Sequence, residues 1–126
     1  MEGKLPCFKI WEDDHFMAFL DINPTCKGQT LVIPKKHYES DLFLIEDGKF
    51  YQDYLLATQG VVNLLKKGLG VHRVAMVAEW LEVPHLHLRL YPLYEGIPMS
   101  VENWEQADME ELGALQVQIN NAVALN

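Results

Sequence analysis

A nine-residue run at 84–92, Pro-His-Leu-His-Leu-Arg-Leu-Tyr-Pro, alternates leucines with side chains that can bind anions. Successive side chains of a β-strand point to opposite faces, about 7 Å apart along one face. The leucines are predicted to face the core and the others the opposite side: Leu86, Leu88 and Leu90 against His85, His87, Arg89 and Tyr91. Two imidazoles, a guanidinium and a phenol in a row indicate an anion-binding face. A half-exposed strand with its polar residues outward would give the same pattern.

Five strand-like segments in the chain would position this row. Runs of β-branched, aromatic and other apolar residues, bounded by polar or Pro-containing turns, predict strands. The segments are Phe8–Trp11, Phe16–Asp21, Gln29–Pro34, His72–Glu79 and His85–Tyr91. The polar corner at 12–14 predicts a tight hairpin between the first two, and a short turn at 80–84 joins the last two.

The segment from Tyr51 to Leu69 has the clearest helical spacing. Its apolar and semi-apolar residues recur every three or four positions, which indicates one buried face. They are Tyr51, Tyr54, Leu55, Thr58, Val61, Val62, Leu65 and Leu69. Gly68 and Gly70, directly after two lysines, are a helix stop signal.

A second helix is predicted near the C-terminal end. Asp108-x-x-Glu111 is similar to a capping box. The apolar side of this helix would consist of Met109, Leu112, Leu115, Ile119 and Val123. The order of strands and helices favours an α+β fold, an antiparallel sheet covered by helices.

Length and charge narrow the function classes. At 126 residues we expect one domain, 1–126, with a C-terminal helical extension at 100–126. The 49% hydrophobic and 22% charged residues are typical of a globular chain. A formal charge of -8, with no Lys or Arg after Arg89, argues against a nucleic-acid surface but leaves small phosphate-bearing ligands open.

Cysteine usage and hydropathy favour the cytoplasm. Cys7 and Cys26 form no C-x-x-C pair, and no apolar leader opens the chain. The longest apolar stretches are much shorter than the roughly 20 residues of a membrane span. We therefore expect no membrane association.

The 84–92 run and three earlier segments resemble the histidine triad (HIT) superfamily, whose signature is H-φ-H-φ-H-φ-φ, with φ apolar. The earlier segments are 7–14 (Cys-Phe-Lys-Ile-Trp-Glu-Asp-Asp), 18–24 (Ala-Phe-Leu-Asp-Ile-Asn-Pro) and 29–37 (Gln-Thr-Leu-Val-Ile-Pro-Lys-Lys-His). The resemblance covers roughly 6–92, which we take as the core of the domain. It implies a five-stranded antiparallel sheet with a central and a C-terminal helix, usually a homodimer, that binds nucleotides and cleaves them at the α-phosphorus.

The resemblance also implies roles for individual residues. His87 matches the nucleophile, which forms a nucleotidyl-histidine that water later resolves. His85 matches the first triad position, whose carbonyl holds the tautomer of the nucleophile. Asp21 matches the acid that binds the ribose hydroxyls, although an Asp before Asn-Pro also forms turns. Phe19 and Ile22, with Ile10 from the first strand, would form the slot for the base.

Three departures from the family pattern bear on substrate and turnover. Arg89 stands where the third histidine contacts phosphate and assists the leaving group, and an arginine binds phosphate but gives up no proton. Gln29 stands where many members have another histidine, so it hydrogen-bonds without titrating. The turn at 79–83 is short, and its Glu79 and Glu82 would repel phosphate unless they point away or bind a cation.

The same pattern argues against a metal or a cofactor. Some branches hold zinc with a C-x-x-C and two histidines, but here only His37 and His85 match those positions, which makes a poor zinc site.

Two functions fit the sequence. One is a hydrolase or nucleotidyl transferase that acts on a purine nucleotide or nucleotide conjugate. The other is a degenerate domain that binds nucleotides with little turnover. The acidic C-terminal segment could form a protein-interaction surface in either case.

Overall fold

A five-stranded antiparallel sheet lies at the centre of the structure, a computed structural model that describes residues 7–36, 41–78, 85–101 and 105–124. The strands are β1 (Lys9–Glu12), β2 (Phe16–Leu20), β3 (Thr30–Pro34), β4 (Arg73–Val77) and β5 (Leu88–Leu93). The helices are α1 (Gly48–Leu69) and α2 (Met109–Ala124), with a short 3-10 helix at Leu42–Leu44. The strand order is β1-β2-β3-β5-β4. The predicted α+β architecture is confirmed, with strand boundaries that differ by at most three residues.

The β1–β2 hairpin turns where the polar corner predicts. The Asp13 side chain accepts hydrogen bonds from the backbone N–H groups of His15 (2.8 Å) and Phe16 (2.7 Å). A β-bulge between Lys9 and Trp11 adds one residue to β1. The bulge puts Ile10, which is 6% exposed, into the hydrophobic core.

Helix α1 begins three residues before the predicted start. The Asp47 carboxylate accepts hydrogen bonds from the N–H groups of Lys49 (3.0 Å) and Phe50 (3.2 Å), and it thereby caps the N-terminus. Gly70 ends the helix in the left-handed conformation, with φ of 71°. The predicted stop signal is thus correct for Gly70, but Gly68 lies inside the helix.

The buried face of α1 differs from the predicted one at two leucines. Leu64 is buried and belongs to the core, whereas Leu55 is 40% exposed. The 3-4 spacing predicts a broad apolar face on α1. Which residues at the edge of that face are buried depends on the elements that pack against the helix. The core itself lies between the sheet and the two helices.

Helix α2 begins at the predicted position. Asp108 accepts a hydrogen bond from the N–H of Glu110 (3.0 Å), and Leu112, Leu115 and Ile119 are buried. α2 packs directly against α1, where a Cβ on Gly68 would lie 2.9 Å from Ile119 Cα. Close approach of two helix backbones therefore explains this glycine.

Several predicted features lie outside the described residues: His37, the turn between the last two predicted strands with Glu79 and Glu82, and the side chain of Val123. Among the residues that the structure describes, neither helix has the length and apolar character needed to cross a bilayer.

A pair of glycine substitutions tests the packing of α1 on α2. Gly60 lies on the exposed face of α1 with open space around it, so Gly60→Ala should raise the unfolding free energy by about 0.5–1 kcal/mol. Gly68→Ala gains the same helix propensity but presses a methyl onto Ile119, and overpacking of this kind costs about 1–3 kcal/mol. Urea denaturation should therefore show a net loss for Gly68→Ala only. Equal stabilisation by both would contradict the close helix contact.

Candidate functional site

The segment from His85 to Tyr91 keeps the predicted alternation, but both of its faces are covered. Leu86, Leu88 and Leu90 are fully buried in the core cluster. His87 and Tyr91 lie outside that cluster and are only 2% and 1% exposed, and the Arg89 side chain is 19% exposed. A half-exposed strand with its polar residues in water is therefore the wrong interpretation. Regular strand structure begins at Leu88, so His85 and His87 precede β5.

The tautomer of His87 follows from one hydrogen bond. Its Nδ1 lies 2.9 Å from the carbonyl oxygen of His85. A carbonyl only accepts, so Nδ1 carries the proton in this contact and the neutral ring keeps its lone pair on Nε2. His85 is held in turn, because its Nε2 donates to the carbonyl of Pro34 at 3.1 Å.

The register of the sheet brings Asp21, Gln29 and Arg89 together. Asp21 directly follows β2, and Gln29 directly precedes β3. The Asp21 N–H donates to the Gln29 carbonyl at 2.9 Å. On the next strand Arg89 faces Leu31, two residues beyond Gln29. Side chains two apart on a strand share one face, so the ends of three strands supply a single polar cluster.

The Asp21 carboxylate is 7% exposed and has a partner on each oxygen. Oδ1 accepts from the N–H of Asn23 at 2.9 Å, which is the turn role expected of an Asp in this position. Oδ2 accepts from Gln29 Nε2 at 2.8 Å and lies 3.5 Å from Arg89 Nε. The turn and the ion pair together hold the orientation of this carboxylate.

Thr25 extends this network and was missed by the sequence analysis. Gln29 Oε1 accepts from the Thr25 N–H at 2.8 Å and contacts its hydroxyl at 3.0 Å. The hydroxyl also contacts the carbonyl of Ser100, which ties the loop after β2 to the segment after β5. A threonine after Asn-Pro carries no signal for this contact, because the partner is 75 residues away.

Tyr91 adjoins the other side of Arg89. Burial raises the pKa of the Tyr91 phenol, and a hydrogen bond with Arg89, together with its positive charge, opposes that increase. The phenol thus stays protonated at neutral pH. Arg89 contacts an anion on one side and a neutral hydroxyl on the other.

The three apolar residues predicted for the base slot have different surroundings. Ile10 is buried in the core and offers little surface to a ligand. Phe19 is 8% exposed, lies outside the core cluster and pairs across β2–β3 with Leu31, on the face of Arg89. Ile22 is half-buried beside Asp21 and packs against the core.

A cavity of about 540 Å³ adjoins the polar cluster between the 21–29 loop and α2. Asp21, Gln29 and Cys26 line it, together with Ala107 and Leu112. Burial and the charge of Asp21 raise the pKa of the Cys26 thiol to about 11. Cys26 is therefore a poor nucleophile at neutral pH. In the described part of the chain, no group of three or more His, Cys, Asp or Glu residues could hold a metal ion.

Comparisons with known proteins identify the family of the chain. An uncharacterized HIT-like protein of Borreliella burgdorferi is 34% identical over 93% of this chain and 89% of its own length. The adenosine 5'-monophosphoramidase of Saccharomyces cerevisiae is 30% identical over 94% of this chain and 76% of its own length. The crystal structure of a Hit-like protein from Bartonella henselae superposes with a TM-score of 0.79, at 30% identity, over 95% of this chain and 89% of that one. Residues 2–96 match the family model for the HIT domain, and the chain therefore belongs to the HIT family.

Proposed function

We propose that the protein binds a purine nucleotide or nucleotide conjugate and cleaves it at the α-phosphorus, as a hydrolase or nucleotidyl transferase. The observation that carries the proposal is the hydrogen bond from His87 Nδ1 to the His85 carbonyl. This bond leaves the lone pair of the neutral ring on Nε2. The monophosphoramidase activity of the yeast relative supports a phosphoramidate as one substrate class. Dinucleoside polyphosphates and related conjugates share the same scissile phosphorus.

The proposed reaction has two steps with one covalent intermediate. His87 Nε2 attacks the α-phosphorus, the bond to the leaving group breaks, and the imidazole becomes a cationic nucleotidyl-histidine. The leaving group departs with the electron pair of that bond, and an amine takes its proton from solvent. The Nδ1–H of His87 keeps donating to the His85 carbonyl, whose dipole stabilises the new positive charge. Water then attacks phosphorus and releases a proton to solvent, the bond from phosphorus to Nε2 breaks, nucleoside monophosphate leaves, and His87 regains its lone pair. In a transfer reaction another nucleophile replaces this water.

Asp21 and its neighbours are proposed to bind the nucleoside. A carboxylate oxygen has two lone pairs, so Asp21 can accept from ribose hydroxyls while Gln29 and Asn23 hold it in place. Phe19 and Ile22 are proposed to flank the base, and Ile10, which is buried in the core, would contribute less surface to that slot.

Arg89 favours a second candidate function, nucleotide binding with little turnover. A guanidinium is permanently charged, so it binds phosphate but protonates no leaving group. Its Nε already faces Asp21, so Arg89 would link the ribose site to the phosphate site. In this alternative, His85 and Arg89 serve binding and the intermediate forms slowly or not at all.

The assembly and location are proposed on separate observations. Leu55 and Leu56 of α1 are 40% and 56% exposed beside a surface cavity, and Met76 on the edge strand β4 is 47% exposed. A second copy of the chain would bury such apolar surface, so we propose a homodimer. Cys7 and Cys26 are free thiols, which supports a reducing cytoplasmic location. The formal charge of -8 argues separately against a nucleic-acid partner.

Mass spectrometry of the intact protein tests the covalent step. After brief mixing with an adenosine phosphoramidate and acid quenching, the wild type should gain the mass of one adenylyl group. His87→Ala should gain none, because it lacks Nε2. His15→Ala, which removes an exposed histidine, is the matched control and should react like the wild type. An adduct that persists in folded His87→Ala would exclude His87 as the nucleophile.

Asp21→Asn tests the ribose assignment. Asparagine keeps an oxygen for the Asn23 N–H but loses the charge that accepts strongly from hydroxyls. Calorimetry should show a larger loss of affinity for ribonucleotides than for 2'-deoxyribonucleotides, since only the former present the 2'-hydroxyl. Equal losses of affinity for both series would mean that Asp21 does not bind the ribose 2'-hydroxyl and serves only in the turn and the ion pair.

Arg89→His separates the two candidate functions. If Arg89 mainly binds phosphate, the variant should lose about 1.5–3 kcal/mol of affinity for nucleoside monophosphate and gain no turnover. If leaving-group protonation limits an enzyme, the variant should accelerate phosphoramidates more than acyl or sulfate anhydrides, whose leaving groups need no proton. Rates and affinities across this series decide between them. No change in either would mean that Arg89 does not face the phosphate.

A further inference from the structure

The side-chain amide of Gln29 is hydrogen-bonded at both of its ends. Gln29 is 3% exposed, and its Nε2 donates to Asp21 Oδ2 at 2.8 Å. At the other end, its Oε1 accepts from the backbone N–H of Thr25 at 2.8 Å and lies 3.0 Å from the Thr25 hydroxyl oxygen. The amide thus connects Thr25 to the Asp21 carboxylate.

The orientation of this amide follows from the chemistry of its two partners. A backbone N–H only donates, and an ionised carboxylate only accepts. If the amide were turned end for end, its NH2 group would face the Thr25 N–H and its oxygen would face the Asp21 carboxylate. Both contacts would be repulsive, and both ends of a buried side chain would lose a partner. Thr25 and Asp21 therefore fix the NH2 group on the carboxylate side.

The Asp21 carboxylate depends on this amide for its own orientation. Oδ1 accepts from the Asn23 N–H at 2.9 Å, which leaves Oδ2 to be held from the other side. Gln29 Nε2 lies 2.8 Å from Oδ2, whereas Arg89 Nε lies 3.5 Å from it, which is longer than an ordinary hydrogen bond. Of these two contacts, the one with Gln29 therefore directs the carboxylate more strictly.

The hydroxyl of Thr25 fixes the position from which its N–H donates. It contacts two acceptors, the Ser100 carbonyl and Gln29 Oε1. A hydroxyl has one proton, so it donates to one of them at a time, and the N–H donates to Gln29 independently. The same loop accepts a hydrogen bond at the Ile22 carbonyl from the Ala107 N–H, at 2.8 Å. The chain after β5 thus anchors this loop at Thr25 and at Ile22.

We propose that Thr25 is a positioning residue of the ribose site, which holds the Gln29 amide against Asp21 Oδ2 and thereby orients the carboxylate toward the ribose hydroxyls. The effect on nucleotide selectivity rests on the proposed function, whereas the arrangement of Thr25, Gln29 and Asp21 is independent of any ligand. Thr25 acts through Gln29, so it needs no contact with the nucleotide.

Thr25→Val removes the hydroxyl while it keeps the shape of the side chain. The loop then loses its hydrogen bond to the Ser100 carbonyl, and the N–H of residue 25 is held less firmly against Gln29 Oε1. Thr25→Ser keeps a hydroxyl at this position and should therefore behave like the wild type.

The matched control is Thr30→Val, the same substitution one residue after Gln29. Thr30 is fully buried, and its hydroxyl donates to the Gly28 carbonyl at 2.9 Å. Because Thr30 directly follows Gln29 at the start of β3, the two side chains point to opposite faces. Both valine variants should lower the melting temperature, but only Thr25→Val should disturb Asp21.

Calorimetry with adenosine 5'-monophosphate and its 2'-deoxy analogue measures the selectivity for ribose, as the ratio of the two dissociation constants. Thr25→Val should lower this ratio about threefold or more, toward that of Asp21→Asn, whereas Thr25→Ser and Thr30→Val should change it less than about twofold. A general loss of stability would weaken the binding of both ligands alike and leave the ratio unchanged.

The side-chain NH2 protons of Gln29, recorded by NMR without ligand, report the arrangement directly. Gln29→Met lacks the amide and therefore identifies the signal. In the wild type these protons should exchange slowly with water, because the NH2 group is buried and donates to a carboxylate. Thr25→Val should accelerate the exchange about tenfold or more, and Thr30→Val should not.

The outcomes separate the role of Thr25 from the proposed function. If the wild type binds both nucleotides equally and Asp21→Asn changes neither affinity, the ribose assignment fails, and faster Gln29 exchange in Thr25→Val still supports the positioning of Asp21. If the wild type selects ribose and Asp21→Asn abolishes that selectivity, an unchanged ratio in Thr25→Val overturns the role of Thr25. Unchanged Gln29 exchange in Thr25→Val, or an equal effect of Thr30→Val on the ratio, would also overturn it.

Discussion

Burial on both faces of the segment from Leu86 to Tyr91 is the constraint on which the rest of the site depends. The leucines face the helices, and His87, Arg89 and Tyr91 lie on the other face with little exposure to solvent. A buried polar group without a partner costs about 1–3 kcal/mol, and a buried charge costs more. Each polar side chain on this face therefore needs a partner inside the protein. Those partners define the geometry of the site.

The ion pair between Arg89 and Asp21 is the clearest consequence. Both side chains are mostly buried, so removal of either one would leave the other charge uncompensated. Arg89 and Gln29 stand at two positions where the family pattern has histidine, and both contact Asp21 Oδ2. The two residues that replace histidine, Arg89 and Gln29, thus belong to one network around Asp21. Arginine supplies a permanent charge for Asp21, which an imidazole would supply only when protonated.

The parts of this structure that depend on local spacing were predictable from the sequence. The alternation at 84–92, the polar hairpin corner at 12–14, the cap at Asp108 and the stop at Gly70 are rules over a few residues. The fold followed from the resemblance of four segments. Contacts between distant segments left no such signal: Gly68 against Ile119, Thr25 against Ser100, and Tyr54 against Val32. Leu55 was misassigned for the same reason, because the edge of a helical stripe is decided by what packs beneath it.

In the proposed reaction, different residues serve the attack on phosphorus and the departure of the leaving group. In the proposed reaction, the attacking atom depends on the His85 carbonyl and on the contact of His85 with Pro34, and neither contact involves Arg89. Departure of the leaving group depends on the third triad position, where Arg89 can stabilise negative charge but transfers no proton. Substrates with acidic leaving groups release them as anions, so they require the attack on phosphorus but no proton for the leaving group. If the protein is an enzyme of the proposed kind, we therefore expect it to cleave anhydride-type leaving groups faster than amines.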